Sequence, residues 1–142
     1  MQRVVFAVLS LSVVLTAGAT ETISPGLYRS TAETTMKMGN MEMPPRASRN
    51  EQCITAEDAA KGPPVPMPED GRTDCDLRSY EFGDGKIAME MACTMPGGEG
   101  VMVGTGSYTH DSFDMVNNFK MDAQGMQMEM SVTIKSERVG DC

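Results

Sequence analysis

The sequence predicts an all-β fold, an antiparallel meander of six or seven strands curled into an open or closed barrel, with one short helix. Three observations support this prediction. Apolar and polar residues alternate with a period of two over several runs rich in Thr, Val and Met. Gly and Asp residues separate these runs, as turns require. Four cysteines, an even number, favour a fold stabilised by two disulfides.

The N-terminal segment predicts export. A short cationic start is followed by an uncharged, mostly apolar run over residues 4–15 and then by small residues. This run is too short for a membrane anchor, which needs about 20 residues, and Ala17 and Ala19 match a signal-peptidase site. We therefore expect residues 1–19 to be a cleaved signal peptide and residues 20–142 to form a single disulfide-stapled β domain. The mature protein should be periplasmic or secreted, with no membrane anchor.

The first half of the chain contains two predicted strands and a helical turn. The strands cover residues 27–38 and 46–53, and the Met- and Pro-rich stretch 36–45 between them is interpreted as a loop. Thr55, with Asp58 three residues later, has the pattern of a helix cap. A segment with four prolines follows the helical turn and predicts a second loop, because proline cannot join a sheet interior.

A hairpin in the middle of the chain assigns one disulfide. A three-residue loop over residues 83–85, with Gly85 in the left-handed conformation, would pair Phe82 with Lys86. This register places two cysteines opposite each other on one face, whereas a two-residue turn would put them on opposite faces. The predicted disulfides are therefore Cys75–Cys93 and, by subtraction, Cys53–Cys142.

The second half of the chain has the clearest strand patterns. In residues 126–135, the apolar residues fall on one side and polar residues on the other. The preceding run, 113–121, repeats this pattern, with Phe113, Met115, Phe119 and Met121 on one face. A further strand is expected over residues 101–109, where Gly104 and Gly106 are interpreted as a bend or bulge.

The order of these features resembles a family of small exported bacterial proteins known only as a domain of unknown function. The resemblance depends on Gly26-Leu27-Tyr28, the Met- and Pro-rich stretch, the four cysteines with Cys53-Ile54-Thr55 before a short acidic helix, and the ending Arg138-Val139-Gly140-Asp141-Cys142. It covers essentially the whole mature chain. It implies an exported, lipocalin-like β domain and no catalytic residue.

Methionine dominates the candidate binding surfaces, with 15 Met against no Trp and four Phe. A barrel of the expected kind would have a concave face on which an apolar small molecule or peptide could bind. The ligand-binding residues predicted for this Met-rich face are Met89, Met91, Met115, Met126, Met128 and Met130. For the three in the last strand, packing in a core is the competing interpretation.

A second methionine cluster suggests an alternative function. Four thioethers lie within eight residues, at Met36, Met38, Met41 and Met43. Thioethers are soft ligands that select Cu(I), and they remain neutral at any pH. The alternative hypothesis is therefore a Cu(I) or Ag(I) binding or metal-stress protein. A hairpin tip that contacts apolar partners is the competing interpretation.

The remaining residues favour a non-enzymatic protein. The one histidine, His110, lies next to Asp111 in an expected turn, and no nucleophile or phosphate-binding motif accompanies it. A formal net charge of −8 makes nucleic acid or an anionic membrane an unsuitable partner. No cofactor is expected under the leading hypothesis, a periplasmic binding or envelope-associated protein. A structural role in an envelope complex, through an exposed strand edge, is a third hypothesis.

Overall fold

The computed structural model describes residues 22–67 and 71–142, which form seven strands and one short helix. The elements are β1 (Gly26–Met38), β2 (Met41–Ile54), α1 (Ala56–Ala60), β3 (Asp74–Gly83), β4 (Lys86–Met95), β5 (Gly98–Tyr108), β6 (Ser112–Ala123) and β7 (Met126–Gly140). All strand pairs are antiparallel, in the order β2-β1-β7-β6-β5-β4-β3. The all-β prediction is confirmed. The predicted signal peptide, residues 1–19, lies outside the described residues.

The sheet forms an open barrel, because β2 and β3 are edge strands that do not pair with each other. Gly62 and Pro63, which follow α1, contact the edge strand β3. Tyr80 on β3 donates a hydrogen bond from its hydroxyl to the backbone oxygen of Pro63, at 2.6 Å. A Cβ at Gly62 would lie 2.7 Å from Tyr80 Oη and from Phe82 Cδ1, so this close approach requires glycine. The start of the connection from α1 to β3 thus contacts β3, which has no strand hydrogen bonds to β2.

Helix α1 begins with the predicted cap. Thr55 Oγ1 accepts a hydrogen bond from the backbone nitrogen of Asp58 at 3.2 Å and donates one to its carboxylate at 2.7 Å. The hydrogen bond from Thr55, followed by that from Lys61, lowers the pKa of Asp58. The helix therefore starts where a side chain satisfies its first backbone donors.

One face of the sheet, the inner face, carries the hydrophobic core. On β6, Phe113, Met115, Phe119 and Met121 are buried on this face, and their odd-numbered positions alternate with exposed residues. Strands β1, β4 and β5 contribute Tyr28, Ile87, Met89, Met91, Met102 and Tyr108 to the same core. Each such side chain contributes about 1.5–3 kcal/mol to stability by its burial.

The turn of the β3–β4 hairpin differs from the expected one. It has two residues, Asp84 and Gly85, with φ of 50° and 72°. Phe82 therefore pairs with Ile87 and not with Lys86. The three-residue loop was a wrong prediction, because paired left-handed residues fit the twist of the strands better than a longer loop.

A β-bulge compensates for this shorter turn. The register shifts between Leu77 and Ser79, and beyond the shift Cys75 lies directly opposite Cys93. Without it, the two sulfurs would lie on opposite faces. The two-residue turn, and not the bulge, places Tyr80 opposite Met89.

Two disulfides join the chain at distant points of the sheet. Cys75 is bonded to Cys93 across the β3–β4 hairpin, with their Cα atoms 4.1 Å apart. Cys53, near the end of β2, is bonded to Cys142, with their Cα atoms 5.6 Å apart and a sequence separation of 89. The second bond therefore fastens the C-terminus to an edge strand.

The Met- and Pro-rich stretch 36–45 is not a loop. It forms the end of β1 and the start of β2, joined by a two-residue turn at Gly39-Asn40. The register shift in this hairpin lies where Pro44 and Pro45 occur, between the pairs of Thr34 and of Met36. The loop interpretation was wrong because an edge strand with a bulge tolerates proline.

The glycines of β5 do not mark a bend or a bulge either. The pairing of β5 with both neighbours runs through Gly104 and Gly106 without a register shift. A Cβ at Gly104 would meet the side-chain oxygen of Asn117 and lie 2.6 Å from Met89 Cγ. Glycine is needed here because side chains from both neighbouring strands lie over the backbone.

Candidate functional site

One half of the inner face is buried in the packed core, and the side chains of the other half are mostly exposed or half-buried. Met89, Met91 and Met115, three of the predicted ligand-binding residues, are 2%, 0% and 1% exposed and belong to the packed core. The inner face of β1, β2 and β7 is more open, since its side chains are half-buried or exposed apart from a few at the strand ends. Any ligand of this face would therefore first contact β1, β2 and β7.

The two methionine clusters of the sequence lie together at one end of this open half. Met38 pairs with Met41 on β2 and with Met128 on β7. In the next row of the sheet, Met36 pairs with Met43 and Met130. We call this surface the methionine end; its residues are Met36, Met38, Met41, Met43, Met126, Met128 and Met130.

The methionine end is only partly covered. Met41 and Met126 are 67% and 52% exposed, and Met128 and Met130 are half-buried against the core. Met126 reaches back to the β1–β2 turn, where its Cγ would lie 4.0 Å from a Cβ at Gly39. The tips of two hairpins thus combine into one thioether-rich surface.

Asn117 is a polar residue in the middle of the inner face. It lies on β6 between the core residues Met115 and Phe119, opposite Gly104 on β5 and Val132 on β7. Its side chain is buried, and neither its nitrogen nor its oxygen has a hydrogen-bond partner in the described structure. Leaving such groups unpaired costs about 1–3 kcal/mol.

The sequence pattern held a signal for this residue. Strict alternation along β6 places position 117 on the apolar face, between two apolar positions on either side. Asn117 was not among the predicted site residues, because the predicted binding face was defined by its apolar side chains. A polar residue at an apolar position is the observation that would have identified it.

A groove of about 570 Å³ lies on the open half of the inner face, and its lining ends at Ile134, one row of the sheet away from Asn117 and its partner Val132. Its floor includes Phe113 and Ile134, and one wall is the connection between α1 and β3, with Pro64 and Val65. The opposite wall is polar, formed by side chains of the edge strand β2 such as Ser48, Asn50 and Gln52. Asn117 lies between this groove and the methionine end, because its partner Val132 separates Met130 from Ile134 along β7.

Polar contacts of Tyr28 and His110 lie at the end of the sheet opposite the methionine end. Tyr28 directs its hydroxyl to the backbone oxygens of Ser24, at 2.8 Å, and His110, at 3.2 Å. Burial and, after it, the charge of Asp111 raise the pKa of Tyr28. His110 Nδ1 lies 3.1 Å from the backbone oxygen of Thr22. These contacts attach the segment before β1 to the β5–β6 turn.

Two kinds of feature are absent from the described residues, 22–67 and 71–142. These residues contain no helix that is both long and apolar enough to cross a membrane. They also contain no group of three or more His, Cys, Asp or Glu side chains placed to hold a metal ion.

Comparison with known proteins gave one match. No curated protein and no solved structure matches the chain. The model of a family described as "Protein of unknown function (DUF3617)" matches residues 23–142, which include all seven strands and all four cysteines. The chain therefore belongs to the DUF3617 family.

Proposed function

We propose that this protein is a non-enzymatic, exported binding protein whose ligand is an apolar small molecule with one hydrogen-bonding polar group. The apolar part would lie on the open half of the inner face, against Met130, Val132 and Ile134. The polar group would bind Asn117. The observation that supports this function is the buried, unpartnered amide of Asn117, one row of the sheet away from an open groove with an apolar floor.

The energetics of Asn117 favour a ligand. A buried amide without a partner lowers stability, and an apolar residue of similar size would avoid this cost. Retaining the amide is understandable if a ligand supplies the missing donor and acceptor. Stability lost in the free protein is then recovered on binding, as is common at functional sites.

The chemistry of an amide narrows the ligand class. Asn117 offers two N–H donors and one acceptor oxygen. An amide or a protonated carboxylic acid offers a donor and an acceptor together and would satisfy both. We therefore propose a ligand of this class, with an alkyl or similarly apolar body.

Competitive displacement of an apolar fluorescent dye tests this function. The oxidised protein is loaded with the dye and titrated with decanamide, and in parallel with N,N-dimethyldecanamide, which lacks the N–H donors. We expect saturable displacement by both, with about tenfold tighter binding of decanamide, since one hydrogen bond contributes about 0.5–1.5 kcal/mol. Absence of saturable displacement would refute the proposal.

The variant Asn117→Leu, with Asn118→Leu as its matched control, tests the role of the amide. Asn118 is the next residue of β6 and is exposed on the other face of the sheet. We expect Asn117→Leu to unfold at a higher urea concentration than the parent, because its free energy of unfolding should be higher by about 1–3 kcal/mol. The variant should also lose the preference for decanamide. Asn118→Leu should keep that preference. An Asn117→Leu variant that is less stable and binds both amides as before would disprove the assignment.

Export is proposed from the leader pattern and from the two disulfides, which are typical of oxidising compartments. Expression of the full chain in a bacterial host, followed by fractionation and N-terminal sequencing, provides the test. We expect a mature protein that begins at Thr20 in the periplasmic fraction. Full-length protein confined to the cytoplasm would contradict this part of the proposal.

A further inference from the structure

We propose that the methionine end is a binding site for one Cu(I) ion, coordinated by the thioethers of Met38, Met41 and Met128. This function is separate from the proposed binding of an apolar ligand and does not depend on it. The sequence suggested only the cluster in residues 36–43. The sheet topology adds the methionines of β7, which lie almost a hundred residues away in the sequence.

The register places the three sulfurs within reach of one ion. Met41, Met38 and Met128 occupy one row across the adjacent strands β2, β1 and β7, on the same face. Residues directly opposite each other in antiparallel strands have Cβ atoms about 4.5–5.5 Å apart. Methionine is unbranched and has three rotatable side-chain bonds, so neighbouring thioethers can turn toward a common point above Met38.

The exposure of these residues agrees better with an ion site than with core packing. The core methionines Met89 and Met91 are 2% and 0% exposed, as packing requires. Met41 at 67% gains little from burial, and Met38 and Met128 remain half-buried. A thioether that is open on one side can bind an ion without unfolding the surface around it.

The chemistry of the site selects a soft monovalent ion. Thioether ligands carry no charge and favour Cu(I) over hard or divalent cations, which prefer carboxylate, imidazole or thiolate. Lys37, Glu42 and Glu129, the charged residues next to the site in the sequence, belong to the outer face, where Lys37 pairs with Glu42 and Lys120 of β6 with Glu129. Arg46 of β2, opposite Thr34, is on the inner face, two rows of the sheet away from Met38. The formal net charge of −8 favours the approach of any cation.

Anaerobic competition with the Cu(I) chelator bicinchoninate tests the site. The oxidised protein should bind one Cu(I) per chain. The triple variant Met38→Leu/Met41→Leu/Met128→Leu removes the sulfurs but conserves volume and apolar character, so the fold should persist. We expect its affinity to fall by more than the roughly 10- to 100-fold that loss of an outer-shell partner costs. Met67→Leu is the matched control, because Met67 is similarly exposed, at 52%, but lies outside the methionine end.

Titration with Ag(I), observed through methyl-labelled methionine by NMR, identifies the ligands independently. Ag(I) is a diamagnetic soft ion, so the methyl signals of ligating methionines shift and remain visible. We expect shifts for Met38, Met41 and Met128, and none for Met67 or Met91. Absence of Cu(I) binding, or unchanged affinity in the folded triple variant, would overturn the proposal. So would Ag(I) shifts confined to methionines outside the methionine end.

Discussion

The hydroxyl of Tyr80 on β3 donates a hydrogen bond of 2.6 Å to the backbone oxygen of Pro63, 17 residues earlier. This contact attaches the connection after α1 to an edge of the sheet. Burial, followed by the influence of Tyr108, raises the pKa of Tyr80 from 10.0 to about 12. The contact is therefore intact at neutral pH and sensitive to strong alkali.

The first prediction concerns the loss of stability in alkali. Because the folded protein holds the Tyr80 proton more tightly than the unfolded chain does, its contribution to stability is fully present below pH 10 and is lost as pH rises through about 12. We expect Tyr80→Phe to lower the free energy of unfolding at pH 7 by about 1 kcal/mol and to flatten its decline between pH 10 and pH 12. Urea titrations at several pH values measure both effects. A decline as steep as that of the parent would assign it to other groups.

The second prediction concerns the glycine beneath Asn117. In Gly104→Ala the new methyl group meets the side chains of Asn117 and Met89, so we expect a loss of about 1–3 kcal/mol in the free energy of unfolding. Gly83→Ala is the control, since a Cβ there has no atom within 4 Å and its φ is not left-handed. Urea unfolding of both variants provides the comparison. Equal stability of the two variants would show that the side chains move aside freely.

The third prediction compares the two disulfides. The chain-entropy model gives about 4.6 kcal/mol for the loop closed by Cys53–Cys142 and about 3.2 kcal/mol for that closed by Cys75–Cys93, from sequence separations of 89 and 18. We therefore expect the double variant Cys53→Ala/Cys142→Ala to lose more stability than Cys75→Ala/Cys93→Ala. Thermal unfolding of the two variants under non-reducing conditions tests this order. The reverse order would mean that the buried Cys93 side chain matters more than chain entropy.

The fourth prediction concerns oxidation. Brief treatment of the folded protein with hydrogen peroxide should convert Met41, Met126 and Met67 to sulfoxide before Met91 and Met115, because the first three are more than half exposed and the last two are buried. Peptide mass spectrometry at increasing times gives the order. Urea-unfolded protein, in which all methionines should react at similar rates, is the control. Early oxidation of Met91 or Met115 in the folded state would contradict the burial described above.

Local patterns predicted most of the strands. Alternation along residues 126–135 and 113–121 was sufficient, because a sheet with one buried face imposes a period of two on the sequence. The helix cap at Thr55 could also be predicted, because it depends on residues close together in the sequence. Features that depend on one strand and its own turn were thus accessible from the sequence.

Relationships between strands were less accessible. No sequence signal predicts the bulge between Leu77 and Ser79. The pairing of Cys75 with Cys93 was therefore predicted correctly, but from a three-residue loop that the protein does not have. The adjacency of β1 and β7 depends on the strand order of the whole sheet, and no local pattern predicts it. For this reason the sequence presented two methionine clusters where the fold has one surface.

Asn117 shows that sequence prediction has the same limit for the candidate site. Its position in the alternation could be read from the sequence, but its lack of a partner could not. Whether a buried amide is satisfied depends on what the neighbouring strands place opposite it, here a glycine and a valine. Only the assembled sheet distinguishes an ordinary buried polar residue from an unpaired one.

The pairing of β1 with β7 has a consequence for how the chain is made. β1 cannot form its hydrogen bonds to β7 until β7 has emerged from the ribosome. Until then, the backbone N–H and C=O groups along one edge of the β1–β2 hairpin remain unpaired. Such distant pairing slows folding. A premature stop before β7 would therefore leave the sheet split into two pieces, with the N-terminal hairpin free to pair with another unfinished chain.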